Sequence, residues 1–185
     1  SYMHTLVSAQ SSFFLMVDLQ ERLLPAISNG EAVVRSATKL LTAARELSVP
    51  LVVTEQYPKG IGPTVPQLAE LIPAGTPNLT KTSFSCCSAA GFDAVVTALG
   101  RNTAVIFGIE THICVLATAM DLVGRGMKVV LAADACGSRE GTNHELALAA
   151  ARSFGALVVP AETVIYQMMG EAGTPHFKAL LPILK

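Results

Sequence analysis

Three side chains, Asp18, Lys81 and Cys114, can do chemistry together if the fold gathers them. Asp18 ends the apolar run Phe13–Val17, Lys81 follows the short extended stretch Asn78–Thr80, and Cys114 lies just beyond the run Thr103–Phe107 that Gly108 closes. In open parallel α/β sheets, ligands bind beyond the carboxyl ends of the strands, where all three would fall. A thiol near a helix start faces the positive end of the helix dipole, which favours thiolate, and a neighbouring ammonium favours it further. A carboxylate within hydrogen-bond reach can accept the thiol proton. Main-chain N–H groups in the turn before the helix can hold a developing oxyanion. The chemistry predicted is attack by sulfur on a carbonyl carbon. Each residue also has an ordinary reading: a buried small hydrophobe for the Cys, a helix cap for the Asp, a solvated charge for the Lys.

The elements that must position these groups follow from the pattern of apolar residues. Phe13–Val17 is a continuous apolar run of strand length, as in strands buried on both faces. Helical spacing predicts a helix over Glu31–Leu47, and Pro50 turns the chain into a strand over Leu51–Thr54. Glu55–Pro77 holds five of the ten prolines and reads as loop with a short helix at Val65–Leu71. After Asn78–Thr80 come a helix over Gly91–Leu99, a strand over Thr103–Phe107 and a helix over Ile113–Arg125. A strand over Lys128–Ala132, a helix over Asn143–Phe154, a strand over Ala156–Val159 and a helix over His176–Leu184 complete the series. Six strands alternating with helices mean βαβ units and an α/β fold with a mostly parallel sheet covered on both faces. One domain is predicted over residues 13–185, after a flexible leader at residues 1–12.

Composition narrows the function. Thirteen basic against fourteen acidic residues give a net charge of −1. That lacks the basic surplus of a nucleic-acid binder, so a small-molecule substrate is the expected partner. No run approaches the roughly 20 apolar residues of a membrane helix. The four cysteines (86, 87, 114 and 136) form neither a CxxC pair nor a disulfide framework, which points to a reducing interior compartment. The cytoplasm is the expected site, with a trimmed mitochondrial leader kept open because residue 1 is Ser. A 15% charged fraction and a mean hydropathy of +0.48 agree with apolar surface hidden in a homo-oligomer. The motifs of dinucleotide, P-loop, zincin and serine-esterase sites are missing, so neither cofactor nor metal is expected.

The stretches FLMVDLQERLLP, KTSFS and IFGIETHICVLATAMDLVGRGMKVVLAADACGSR together resemble the isochorismatase-like cysteine hydrolases, over about residues 13–160. Gly108–Ala119 is the most specific part. The resemblance places the family's catalytic Asp, Lys and Cys on Asp18, Lys81 and Cys114. It implies a three-layer α/β/α sandwich of Rossmann-like type with strand order 3-2-1-4-5-6. It also implies a non-proline cis peptide between Ile109 and Glu110, with the N–H groups of Glu110 and Cys114 as oxyanion hole. The nicotinamidase branch binds a metal through an Asp and two His after the second strand. Thr54–Thr64 here has neither residue type, and it resembles instead the isochorismatase-domain-containing subgroup. Glu55, Gln56 and Tyr57 are candidate pocket residues or plain loop, and Phe84 is a candidate wall or core residue. His112 raises a Cys–His dyad, which the directions of side chains two apart disfavour; His144 reads as a capping or packing residue, the other three cysteines as structural thiols, and Met168 and Met169 as core. The function expected is cysteine-dependent hydrolysis of a small amide or ester through a thioester. The alternative is a non-catalytic interaction or regulatory module on the same scaffold.

Overall fold

The apolar run before Asp18 forms β1 (Ser12–Val17), every residue of it buried. The computed structural model describes residues 4–185. The chain continues through α1 (Gly30–Leu47), β2 (Leu51–Gln56), α2 (Pro58–Ile61), α3 (Pro66–Ala69), β3 (Asn78–Lys81) and α4 (Phe92–Leu99). It then forms β4 (Thr103–Ile109), α5 (Leu116–Gly124), β5 (Lys128–Gly137), α6 (Gly141–Ser153), β6 (Leu157–Val159), α7 (Ala161–Met169) and α8 (Pro175–Leu184). The six strands make one sheet in the order β3-β2-β1-β4-β5-β6, every pairing parallel, with helices on both sides.

The order reverses between β1 and β4, the kind of switch point at which such sheets open a crevice. The two central strands are held on both faces, and the rings of Phe14 and Phe107 meet edge to face at 6.1 Å. On one face α1 buries Val33, Ala37, Leu40, Leu41 and Ala44, a stripe at helical spacing. One glycine shapes the crevice directly. Gly108 has φ +131°, and a Cβ there would strike the carbonyl oxygen of Val17. Only a residue without a side chain lets β4 approach the end of β1 so closely.

Several boundaries differ from the sequence reading. The second strand runs on to Gln56 because Glu55 and Gln56 pair in register with Thr80 and Lys81; ladder bonds are indifferent to polar side chains. The fourth strand runs past Gly108 to Ile109, and the fifth runs to Gly137, with a register shift against β4 between Ile106 and Gly108. The helix expected over Ile113–Arg125 begins as a π-helical turn, Thr111–Val115, before α5 takes over. Helix α7 was not foreseen. The flexible leader is corrected for residues 7–12: Val7 and Ala9 are buried, the Val7 N–H donates to Gln167 at 2.8 Å, and Ser12 opens β1. The first three residues of that leader lie outside the described residues.

Candidate active site

Asp18 is the first residue beyond β1 and takes a left-handed φ of +53°, a conformation that Asp tolerates better than most residues. Its N–H donates to the Thr54 carbonyl at 3.1 Å. Its carboxylate accepts the Thr54 hydroxyl at Oδ1 (2.8 Å) and the Lys81 ammonium at Oδ2 (2.9 Å). The ion pair is closed to solvent, with side-chain exposures of 0% and 1%.

Lys81, the last residue of β3, reaches over the end of β2 to make that pair. Its Nζ also faces Gln56 Oε1 at 2.6 Å, the carbonyls of Ser83 and Phe84 at 3.1 and 3.2 Å, and Cys114 Sγ at 3.5 Å. Five acceptors compete for three protons, so the ammonium is fixed in place. Burial works against its charge, but Asp18 and then Cys114 outweigh burial and hold the ammonium above its ordinary range.

Cys114 lies within the π-helical turn and is 7% exposed. Burial, and after it the Asp18 carboxylate, push the thiol up to about 12, while Lys81 pulls the other way. The expectation of a ready thiolate is corrected by this balance. Desolvation of a buried thiol outweighs one ammonium that is already paired with a carboxylate. Asp18 Oδ2 and Cys114 Sγ thus share the Lys81 ammonium as a common partner, at a place where burial disfavours charge on the sulfur.

A second layer holds this trio. Gln20 is fully buried; its Nε2 donates to the carbonyls of Gln56 and Gly62, each at 2.8 Å, and its Oε1 accepts the Gln56 N–H at 2.7 Å. Gln56 Nε2 in turn donates to the Thr82 carbonyl at 2.9 Å. On the other side, the Ile109–Glu110 peptide is cis. The Glu110 carbonyl accepts from Ile113 and Val115, and its carboxylate accepts the Arg139 N–H at 2.9 Å and Arg139 Nε at 3.1 Å.

The remaining candidates divide. Glu55 is corrected as a pocket residue: its buried carboxylate accepts the N–H and hydroxyl of Thr64 and the amide of Asn78. Gln56 is partly buried and braces Lys81 through its Oε1. Tyr57 is exposed and lies with Lys81 on the wall of a cavity of about 560 Å³. Phe84 is exposed, and its carbonyl is the part that meets Lys81. His112 bonds Ser138 Oγ at 2.9 Å, so its ring is committed away from the thiol. His144 bonds Thr111 Oγ1 at 2.7 Å, and burial lowers its pKa. Thr54 and Gln20 escaped the sequence reading; the one signal was a polar residue at the end of each apolar run, in VDLQ and VVTEQ.

Among the described residues, no three or more His, Cys, Asp or Glu side chains are grouped to hold a metal ion, and no helix is long and apolar enough to cross a membrane. A larger cavity, about 810 Å³, runs along the start of α1 between Leu24 and Gln67. None of the three reactive side chains lines it.

The family model of the isochorismatase domain matches residues 12–163, which spans all three reactive residues. The chain belongs to the isochorismatase family. Within it, the mouse isochorismatase domain-containing protein 2A is 38% identical over 179 residues, 95% of this chain and 84% of its own length. Among solved structures, the MAR1 ribonuclease of Caenorhabditis elegans matches with a TM-score of 0.91 at 34% identity, covering 97% of this chain and 92% of that one. The Escherichia coli YcaC gene product, described as an octameric hydrolase of unknown specificity, matches with a TM-score of 0.92 at 20% identity, covering 99% of this chain and 91% of its own, a likeness of fold. Family membership fits the hydrolase class and the α/β/α architecture together.

Proposed function

We propose that this isochorismatase-family chain is a cysteine-dependent hydrolase of a small amide or ester. The observation that carries the reading is the contact set of Lys81 Nζ, 2.9 Å from Asp18 Oδ2 and 3.5 Å from Cys114 Sγ, at the carboxyl ends of the central strands. As the sulfur bonds to the carbonyl carbon, its proton passes to Asp18. That transfer avoids free thiolate, which burial disfavours. The carbonyl oxygen becomes an oxyanion against the N–H groups of Glu110 and Cys114. Asp18 then gives its proton to the leaving amine or alcohol, and the thioester forms. Water attacks next, losing a proton to Asp18; the acid departs and the thiol is restored. Lys81 holds the Asp18 carboxyl group in place through each transfer. No cofactor enters the cycle.

Tyr57, on the cavity wall beside Lys81, is the residue we assign to substrate contact. A homo-oligomer is the assembly assigned, supported by the exposed Leu6, Phe84 and Leu146. The test is turnover of a panel of small amides and esters, with an RNA oligonucleotide alongside them because of the name that the worm relative carries. Cys114→Ala should abolish hydrolysis of every amide and ester turned over by the wild type, with an unchanged melting temperature. Undiminished turnover in that variant would sink the mechanism. A wild type inert to the whole panel, with Cys114 no more reactive than Cys136, favours the interaction-module alternative.

A further inference from the structure

Beyond the three reactive side chains, the wall behind Asp18 holds a hydrogen-bond chain with a fixed direction. The Thr54 hydroxyl is buried completely and lies 2.8 Å from Asp18 Oδ1 and 3.6 Å from Cys86 Sγ. An ionised carboxylate has no proton to give, so the single hydroxyl proton must point to Asp18. The thiol of Cys86 is then the donor toward Thr54. Its own state agrees: burial, and next Asp18, push it up to about 11, so it holds its proton at neutral pH. Thr54 also accepts the Asp18 N–H through its carbonyl. One residue thus grips Asp18 by main chain and side chain together.

We propose that Thr54, held by the Cys86 thiol behind it, is a positioning residue that sets the Asp18 carboxylate for proton transfer from Cys114. Without Thr54, the carboxylate keeps only the Lys81 contact at Oδ2 and can turn about its χ2. The groups facing Asp18 are then Lys81, Cys114 and Cys86, and nothing among them fixes Oδ1. The inference rests on the reading of Asp18 as proton acceptor, and the experiment separates the two.

The probe is iodoacetamide, with alkylation of Cys114 followed by peptide mass spectrometry from about pH 6.5 to 9.5. In the reaction, the S–H proton passes to Asp18, sulfur bonds to the methylene carbon and iodide leaves. Because the proton moves within the site, the wild-type rate should be nearly flat with pH. In Asp18→Asn the proton must go to solvent, so the rate should climb about tenfold per pH unit. Thr54→Val should lower the flat region about tenfold, as expected for one lost bond to a charged group. The rising limb should then emerge at lower pH. Thr54→Ser, which restores the hydroxyl, should return the rate to within about twofold of wild type.

A merely structural Thr54 would change the melting temperature and leave the profile's shape alone. A Thr54→Val profile matching wild type, beside an altered Asp18→Asn profile, overturns the positioning role and leaves the base assignment standing. An Asp18→Asn profile as flat as wild type overturns both. A Cys86→Ala profile identical with wild type removes Cys86 from the chain.

Discussion

Replacing Lys81 by Met removes the ammonium while keeping most of the side chain's volume. In that variant the Asp18 carboxylate, 1% exposed, keeps only the Thr54 hydroxyl among its two side-chain donors. Taking one partner from a buried ion pair costs about 3–5 kcal/mol, because the other charge is left uncompensated. In a chain of 185 residues, that corresponds to a fall of about 6–20 °C in melting temperature. The pair itself contributes far less than this, since both ions were desolvated to form it. Asp18→Asn combined with Lys81→Met leaves no uncompensated charge, so the double variant should return to within about 2 kcal/mol of wild type. Urea unfolding followed by circular dichroism, at neutral pH and with m held common, gives all three differences. Both variants should hydrolyse nothing, so stability recovers while activity does not. A Lys81→Met variant that loses less than about 1 kcal/mol, or a double variant no more stable than the single, would refute the account of a desolvated, mutually dependent pair.

Two further outcomes follow from the packing. Gly108→Ala should cost about 2–4 kcal/mol by urea unfolding, since the added methyl meets the Val17 carbonyl at a positive φ; a cost below about 0.5 kcal/mol would mean that β1 and β4 are not in the close approach described. Alkaline pH should destabilise the fold: Cys86 titrates near 11 and Cys114 and Cys136 near 12 in the folded chain, against 9.0 when unfolded. Above pH 9 the unfolded chain binds fewer protons, so stability is complete below that pH and falls as pH rises toward 12. Lys81, raised above 10.5, adds a further loss that begins above 10.5 and is complete once the pH has risen through its folded value. A melting temperature that stays constant from about pH 8 to 11 in differential scanning fluorimetry would contradict the burial of these thiols.

How far the molecule could be read from its residues depended on whether a feature is carried along the chain or across it. Phe13–Val17 and Thr103–Phe107 announce buried parallel strands by their own composition, and the reactive residues stand just past such runs. Helix α7 was equally legible: Ala161, Val164, Ile165 and Met168 recur at helical spacing after Pro160, and all four are buried. It was missed because Met168 and Met169 read as loose core. The extension of β2 was not legible, since nothing in Glu55 or Gln56 says that Thr80 and Lys81 will lie beside them in register. Glu55 looked like a pocket residue for the same reason; its partners Thr64 and Asn78 are 9 and 23 residues away.

The thiol illustrates the deeper limit. Helix start and nearby Lys are chain-level signals, and both argue for a thiolate. Burial is a property of the assembled site, and it reverses the sign. That reversal changes the division of labour. If Lys81 alone activated Cys114, Asp18 would oppose it, since a buried carboxylate raises a neighbouring thiol. In the proposed mechanism, where the thiol starts protonated, the same carboxylate is the one acceptor within the trio that can take the proton without sending it through solvent. The precision of the Asp18 position then matters more than the charge near the sulfur. In that reading a buried threonine and a pair of interlocked glutamines surround the trio, and Asp18 itself takes a left-handed turn to enter it.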